Sequence, residues 1–161
     1  MDQIGITDNK LHHMLGVARK AYQLAIERGH DKIFARRMFL LGYIHDVGYE
    51  FSYTTPEHPI ISANMLYHLA DIDINDKQGI LKNSYNAIRL HGQYTDEETE
   101  EWRILTMADF LVDNTGNEVT VTQRLEDIKE RYGEYSDQYL TSCDVCYRIG
   151  LTPQNVAGNI I

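Results

Sequence analysis

The sequence is poor in cysteine, in proline and in positive charge, and it has no long hydrophobic run. Two cysteines, Cys143 and Cys146, are too few for a disulfide scaffold. Only Pro56, Pro59 and Pro153 interrupt the chain, which leaves room for long helices. The longest apolar stretch, Met38 to Ile44, contains a glycine and is far short of the roughly 18 residues that a membrane span needs. Lys and Arg total 15 against 24 Asp and Glu, a formal charge of −9. Proteins that read a nucleic-acid backbone carry clustered cations. Here the densest basic spot is Arg36-Arg37 with Lys32 nearby, which reads as one solvated helix face. No duplex partner and no membrane partner are expected. An acidic surface also repels phosphorylated small molecules, so such a substrate would need a local cation, a divalent metal above all.

What is present is an ordinary globular composition, 43% hydrophobic and 24% charged, with seven histidines. The 161 residues suit one domain spanning 1–161. Residues 1–10 show no basic segment followed by an apolar one, so no signal peptide is expected and a cytoplasmic location is the default.

Apolar spacing is helical throughout, with no sustained period of two. A first helix is expected from about Asp8 to Glu27, ended by Gly29, and a second from about Asp31 to His45-Asp46, closed by Gly48. Pro59 suits the first turn of a third. After a polar break at Asp71–Asp76, a fourth runs from about Lys77 to Leu90, stopped by Gly92. Thr95 precedes an acidic first turn, Asp96, Glu97, Glu98, Glu100 and Glu101, leading a fifth helix through Trp102 to Val112. Gly116-Asn117 is a turn, and two last helices, Thr120–Tyr132 and Ser136–Ile149, follow. The expectation is an all-α bundle of six or seven helices around one core. The motif-bearing part would span about 8–115 and the C-terminal helices about 120–150. The tail 151–161 has apolar ends that suit docking on the domain or on a partner, and a homo-oligomer is compatible with the sequence.

His45-Asp46 closes an apolar helix, where a buried polar pair is costly without partners. Alone it reads as a solvated helix end. With His12-His13, His58, His91 and Asp109, a carboxylate set among Met107, Ala108, Phe110 and Leu111, it reads as a ligand set. At about 100° per residue, His13 lies roughly 115° and His12 roughly 145° from the centre of the first helix's apolar face, a small preference for His13.

The order His, His-Asp, then a distant Asp resembles the HD-domain superfamily of metal-dependent phosphohydrolases. The resemblance rests on the segments from His13 to Ala18, Leu40 to Gly48, His58 to Ala63, Ala87 to His91 and Leu105 to Asp109, which together span residues 13–109, about 60% of the chain. It implies a single HD-domain helical bundle. It also implies that His13, His45, Asp46 and Asp109 bind one metal, with His45 and Asp46 at the catalytic centre. His58 and His91 match further histidines of dinuclear members, in which Asp46 would bridge two ions. Imidazole and carboxylate donors suit Fe, Mn, Ni, Co or Zn, as one or two divalent ions, better than Mg. Such an ion lowers the pKa of bound water and polarises a phosphoryl oxygen. Many relatives carry Lys three residues after the His-Asp pair, where this chain has Tyr49. Lys10, Arg89 and Arg103 are the alternative cations for a substrate phosphate, Lys10 lying where relatives often carry Arg.

Three activities are compatible with these residues. The first is hydrolysis of a small phosphorylated molecule, a nucleotide or other phosphate ester. The second is oxygenation by a dinuclear-iron member of the same superfamily. The third is nucleotide binding without turnover by a protein that keeps the metal site. Cys143-x-x-Cys146 sits among core-like residues, His30 reads as a solvated turn residue, and His68 as packing or surface. Tyr43, Tyr49 and Tyr53 could line a base or sugar site, or be buried with a hydroxyl partner.

Overall fold

The computed structural model describes residues 6–50, 57–69 and 79–151, the side chains of 50 and 67–69 excepted. The break at Asp71–Asp76, the expected start of the fourth helix, Tyr53, the His68 side chain and the tail beyond Leu151 lie outside the described residues. Among the described residues seven α-helices follow one another: α1 (Asp8–Glu27), α2 (Lys32–Ile44), α3 (His58–Leu69), α4 (Ile80–Arg89), α5 (Glu100–Phe110), α6 (Val121–Tyr132) and α7 (Asp137–Arg148). A 3-10 turn, Val47–Glu50, links α2 towards α3. The described residues hold no β-strand, only one isolated bridge between Val112 and Glu118.

Local chemistry sets the helix starts. Thr7, Asp31, Thr99, Thr120 and Ser136 each accept a backbone N–H of the first turn through the side chain. Thr120 and Gln123 form a reciprocal capping box. α5 departs from expectation at both ends. Thr99, not Thr95, caps it, and the Thr95 hydroxyl instead accepts the N–H of Glu97 at 2.9 Å in the preceding loop. Asp96, Glu97 and Glu98 therefore lie outside the helix. At the other end Val112 leaves the helix for the bridge to Glu118.

α1 and α2 pack along their length through small residues. Ala18, Ala21, Ala25 and Ala35 are wholly buried, beside Val17, Met38 and Leu41. The approach is close enough that a Cβ on Gly42 would lie 2.7 Å from the Cα of Ala18. α5 runs through the middle of the bundle against α1, α2 and α4, burying Trp102, Ile104, Leu105, Ala108 and Phe110. The Trp102 indole N–H donates to the Leu90 carbonyl at 2.9 Å, tying α5 to the end of α4. α6 and α7 pack on each other and α6 meets α5, with Val121, Leu125, Val145 and Cys146 buried.

Candidate metal centre

Five elements bring six side chains to one place. His13 comes from α1, His45 and Asp46 from the end of α2, His58 from the first residue of α3, His91 from just beyond α4, and Asp109 from the last turn of α5. His13, His45, Asp46, His58 and His91 are buried, and the Asp109 side chain is 18% exposed. His12 is exposed, in agreement with the helix register.

Asp46 divides its two oxygens. Oδ2 lies 3.6 Å from His13 Nε2, 3.4 Å from His45 Nε2 and 3.2 Å from Lys10 Nζ. Oδ1 lies 3.1 Å from His58 Nε2 and 3.6 Å from His91 Nε2. Asp109 Oδ1 is 3.0 Å from His13 Nε2 and 3.4 Å from His45 Nε2.

Backbone carbonyls orient three of the rings. His13 Nδ1 donates to the Asp113 carbonyl at 2.7 Å, His45 Nδ1 to that of Gly42 at 2.6 Å, and His91 Nδ1 to that of Ile88 at 2.5 Å. A carbonyl only accepts, so each Nδ1 carries a proton and Nε2 is the atom turned towards the carboxylates. His58 is oriented differently, by stacking on Tyr49 with centroids 4.0 Å apart. Its Nδ1 is buried without a hydrogen-bond partner.

Electrostatics follow from this crowding. Burial pushes the Asp46 carboxyl up, but His45, His58, His91 and Lys10 outweigh it and hold the group well below the usual carboxylate range. For Asp109, His13 and His45 likewise outweigh burial. Burial lowers His58, whereas Asp46 and Asp109 outweigh burial at His91 and raise it.

These residues fit a divalent cation. His45 Nε2 is buried and has no hydrogen-bond partner, although it faces two carboxylates at 3.4 Å. A lone pair opposed to carboxylate oxygens is unfavourable unless a proton or cation lies between them. Three triads have donor atoms within 4.8 Å of one another: His13, His45 and Asp46; His45, His91 and Asp109; and Asp46, His58 and His91. Asp46 belongs to two of them.

The cluster opens into a cavity of about 630 Å³, within the usual range for small-molecule sites. Lys10 and Tyr49 line it, Lys10 Nζ lying 4.3 Å above the Tyr49 ring. Arg89 does not line it and bonds Asn86 at 3.4 Å, while Arg103 pairs with Glu98 at 3.2 Å. Tyr43 is 39% exposed and stands away from the lining. His30 is not simply solvated, because it stacks on Phe34 and reaches Glu100 at 2.8 Å. Cys146 is core, its thiol pushed up by burial.

Sequence reasoning missed the far wall of the cavity, which α6 and α7 supply through Arg124, Ile128, Arg131 and Tyr132 among others. One signal was available. Arg124 shares a helix face with Val121, Leu125 and Ile128, an unusual place for a guanidinium.

No curated protein and no solved structure matches the chain. The family model of the HD domain matches residues 11–112, from just before His13 to just beyond Asp109. That span contains all six clustered residues and more than half of the sequence, and the chain belongs to the HD-domain family.

Proposed function

We propose that the protein is a metal-dependent phosphohydrolase of small phosphorylated molecules, nucleotides or other phosphate esters. Membership of a family made up mostly of metal-dependent hydrolases supports the general class. The observation that carries the reading is the division of Asp46, one oxygen towards His13 and His45, the other towards His58 and His91. That arrangement suits a carboxylate between two ions.

His13, His45, Asp46 and Asp109 would hold one ion, and Asp46, His58 and His91 a second. Fe, Mn, Co, Ni or Zn suits the mixed nitrogen and oxygen donors. When bound, such an ion supplies Lewis acidity towards a phosphoryl oxygen and an activated water. The chain's own contribution is orientation. The carbonyls of Asp113, Gly42 and Ile88 fix three imidazoles, so little reorganisation is needed on loading. Lys10, at the edge of the cluster, is placed to neutralise a phosphate oxygen in the absence of a lysine at position 49. Tyr49 holds the His58 ring flat against its own.

The test is phosphate release from a panel of nucleotides and simple esters by protein loaded in turn with Mn, Co, Ni, Zn and Fe, with metal content measured. Turnover well above that of a variant with both His45→Ala and Asp46→Ala is expected. No turnover above that variant refutes the reading. Substrate-dependent oxygen uptake by the iron form would point to an oxygenase, and nucleotide binding without product over hours to a sensor.

A further inference from the structure

The cavity beside the histidines is also lined by α6 and α7, and Arg124 is one of its α6 residues. Its side chain is only 12% exposed. One nitrogen, Nη1, donates to Asn114 Oδ1 at 3.2 Å and stands 3.5 Å from Asp127 Oδ2. Nε is buried with no acceptor, and among the described residues no acceptor meets Nη2. A guanidinium that is mostly withdrawn from water and keeps a buried N–H without an acceptor is costly, and an oxyanion matches the Nε–Nη2 side of such a fork.

The surrounding charges do not neutralise it. Asp127 is shared, because it also accepts from Arg131 Nη2 at 2.6 Å. Arg131 and Asp137, which also line the cavity, are both exposed, where water and salt screen them, so among the described residues the shared Asp127 at 3.5 Å is the one ion-pair partner of Arg124. Asn114 follows Asp113, whose carbonyl holds the His13 ring. The guanidinium is therefore tethered to the same turn that orients the candidate metal centre. Phe110, Ile128 and Tyr132 add apolar lining to the same cavity.

We propose that Arg124 binds a second oxyanion of the substrate, a carboxylate or a phosphoryl group, on the α6 side of the cavity. The substrate is then a phosphate ester that carries a second anionic group besides the reacting one. The identity of the reacting end rests on the phosphohydrolase reading; the grip of Arg124 on an anion does not.

Binding separates the two. Alkylphosphonates of graded length, ending in a carboxylate, a second phosphonate or a methyl ester, are titrated calorimetrically into manganese-loaded and metal-free protein. At the best length an anionic end should bind about tenfold tighter or more than the methyl ester. Comparison of the carboxylate and phosphonate series shows which oxyanion is preferred. Arg124→Gln should bring the ratio near one, and Arg124→Lys, which keeps charge but loses the planar fork, should leave an intermediate ratio. A purely structural role for Arg124 would lower the melting temperature without changing the ratio. Should Arg124→Gln fail to fold, Asn114→Ala releases the guanidinium from its tether, and the ratio must fall severalfold. Equal affinity for charged and neutral ends in the wild type overturns the proposal, as does a preference that survives these substitutions. Preference without hydrolysis of any ester refutes the phosphohydrolase reading and leaves Arg124 assigned; hydrolysis without preference does the reverse.

Discussion

Replacing Gly48 by alanine probes the turn that delivers Asp46 to α3. Gly48 does not have a positive φ, so alanine can adopt its backbone conformation and the question is one of space. A Cβ there would lie 2.1 Å from the His58 carbonyl oxygen and 2.8 Å from Ser62 Oγ. Ordinary contact begins at 3.4 Å, so α3 or the turn must retreat by roughly 1.3 Å. That retreat strains packing that holds Ser62 and Ala63 wholly buried, at about 1–3 kcal/mol. It also stretches the bond from the Gly48 N–H to Ser62 Oγ, now 2.7 Å, and a buried donor left unpaired costs about 1–3 kcal/mol more. A total of about 3 kcal/mol corresponds to a melting temperature lower by roughly 6–12 °C in a chain of this size. The same movement withdraws His58 from Asp46, so a metal titration should lose one equivalent while the equivalent held by His13, His45, Asp46 and Asp109 remains. Ser62→Ala removes the acceptor without adding bulk, and should cost only the hydrogen-bond share. Thermal unfolding in chelator, followed by manganese calorimetry, reads both effects. A Gly48→Ala protein melting within about 1 °C of the wild type, with unchanged stoichiometry, would refute the reasoning.

Two further outcomes are expected. Trp102→Phe removes the indole donor from the half-buried Leu90 carbonyl, which keeps the Gln93 N–H at 3.1 Å, and opens space in the core, so stability in urea should fall by about 1–3 kcal/mol, most of it from packing, with an unchanged slope. Because Leu90 precedes His91, metal affinity should fall with it, and intact affinity would show that the two ends are uncoupled. Glu100 is held below its ordinary value of 4.5 chiefly by Arg28, with burial opposing and His30 adding. A lowered carboxylate stabilises the fold above its unfolded pKa, and the effect is lost as pH falls through the folded value. Glu100→Gln should therefore lower stability near neutrality, by about 0.5 kcal/mol given the partial exposure of both partners. The difference from wild type should shrink only once pH drops below 4.5, and a difference that grows on acidification contradicts the assignment.

The helices were legible because their signals are local. Apolar spacing and a capping threonine or aspartate suffice for α1, and the expected span from Asp8 to Glu27 is the observed one. α5 shows the limit of local reading. Thr95 and Thr99 are equally good caps in sequence, and burial of Trp102 and Glu101 selects the second. The six clustered residues were recognisable because polar groups among apolar neighbours need partners, and the order of those groups resembles a known family. Their mutual placement was not legible, since it depends on where five elements meet. Arg124 was overlooked for the same reason. Its separation from Asp46 along the chain hides the cavity they share.

The bond from His13 to the Asp113 carbonyl spans 100 residues. In a chain made from its N-terminus at about 5–20 residues per second, His13 therefore waits several seconds for the carbonyl that orients it. Asp109 appears only four residues earlier. Until then His45, Asp46 and His58 are already made without the carboxylate of Asp109 and the carbonyl of Asp113 that complete their surroundings. The cluster is a late event in the life of the molecule, and any metal supplied before chain completion would meet an incomplete set of donors.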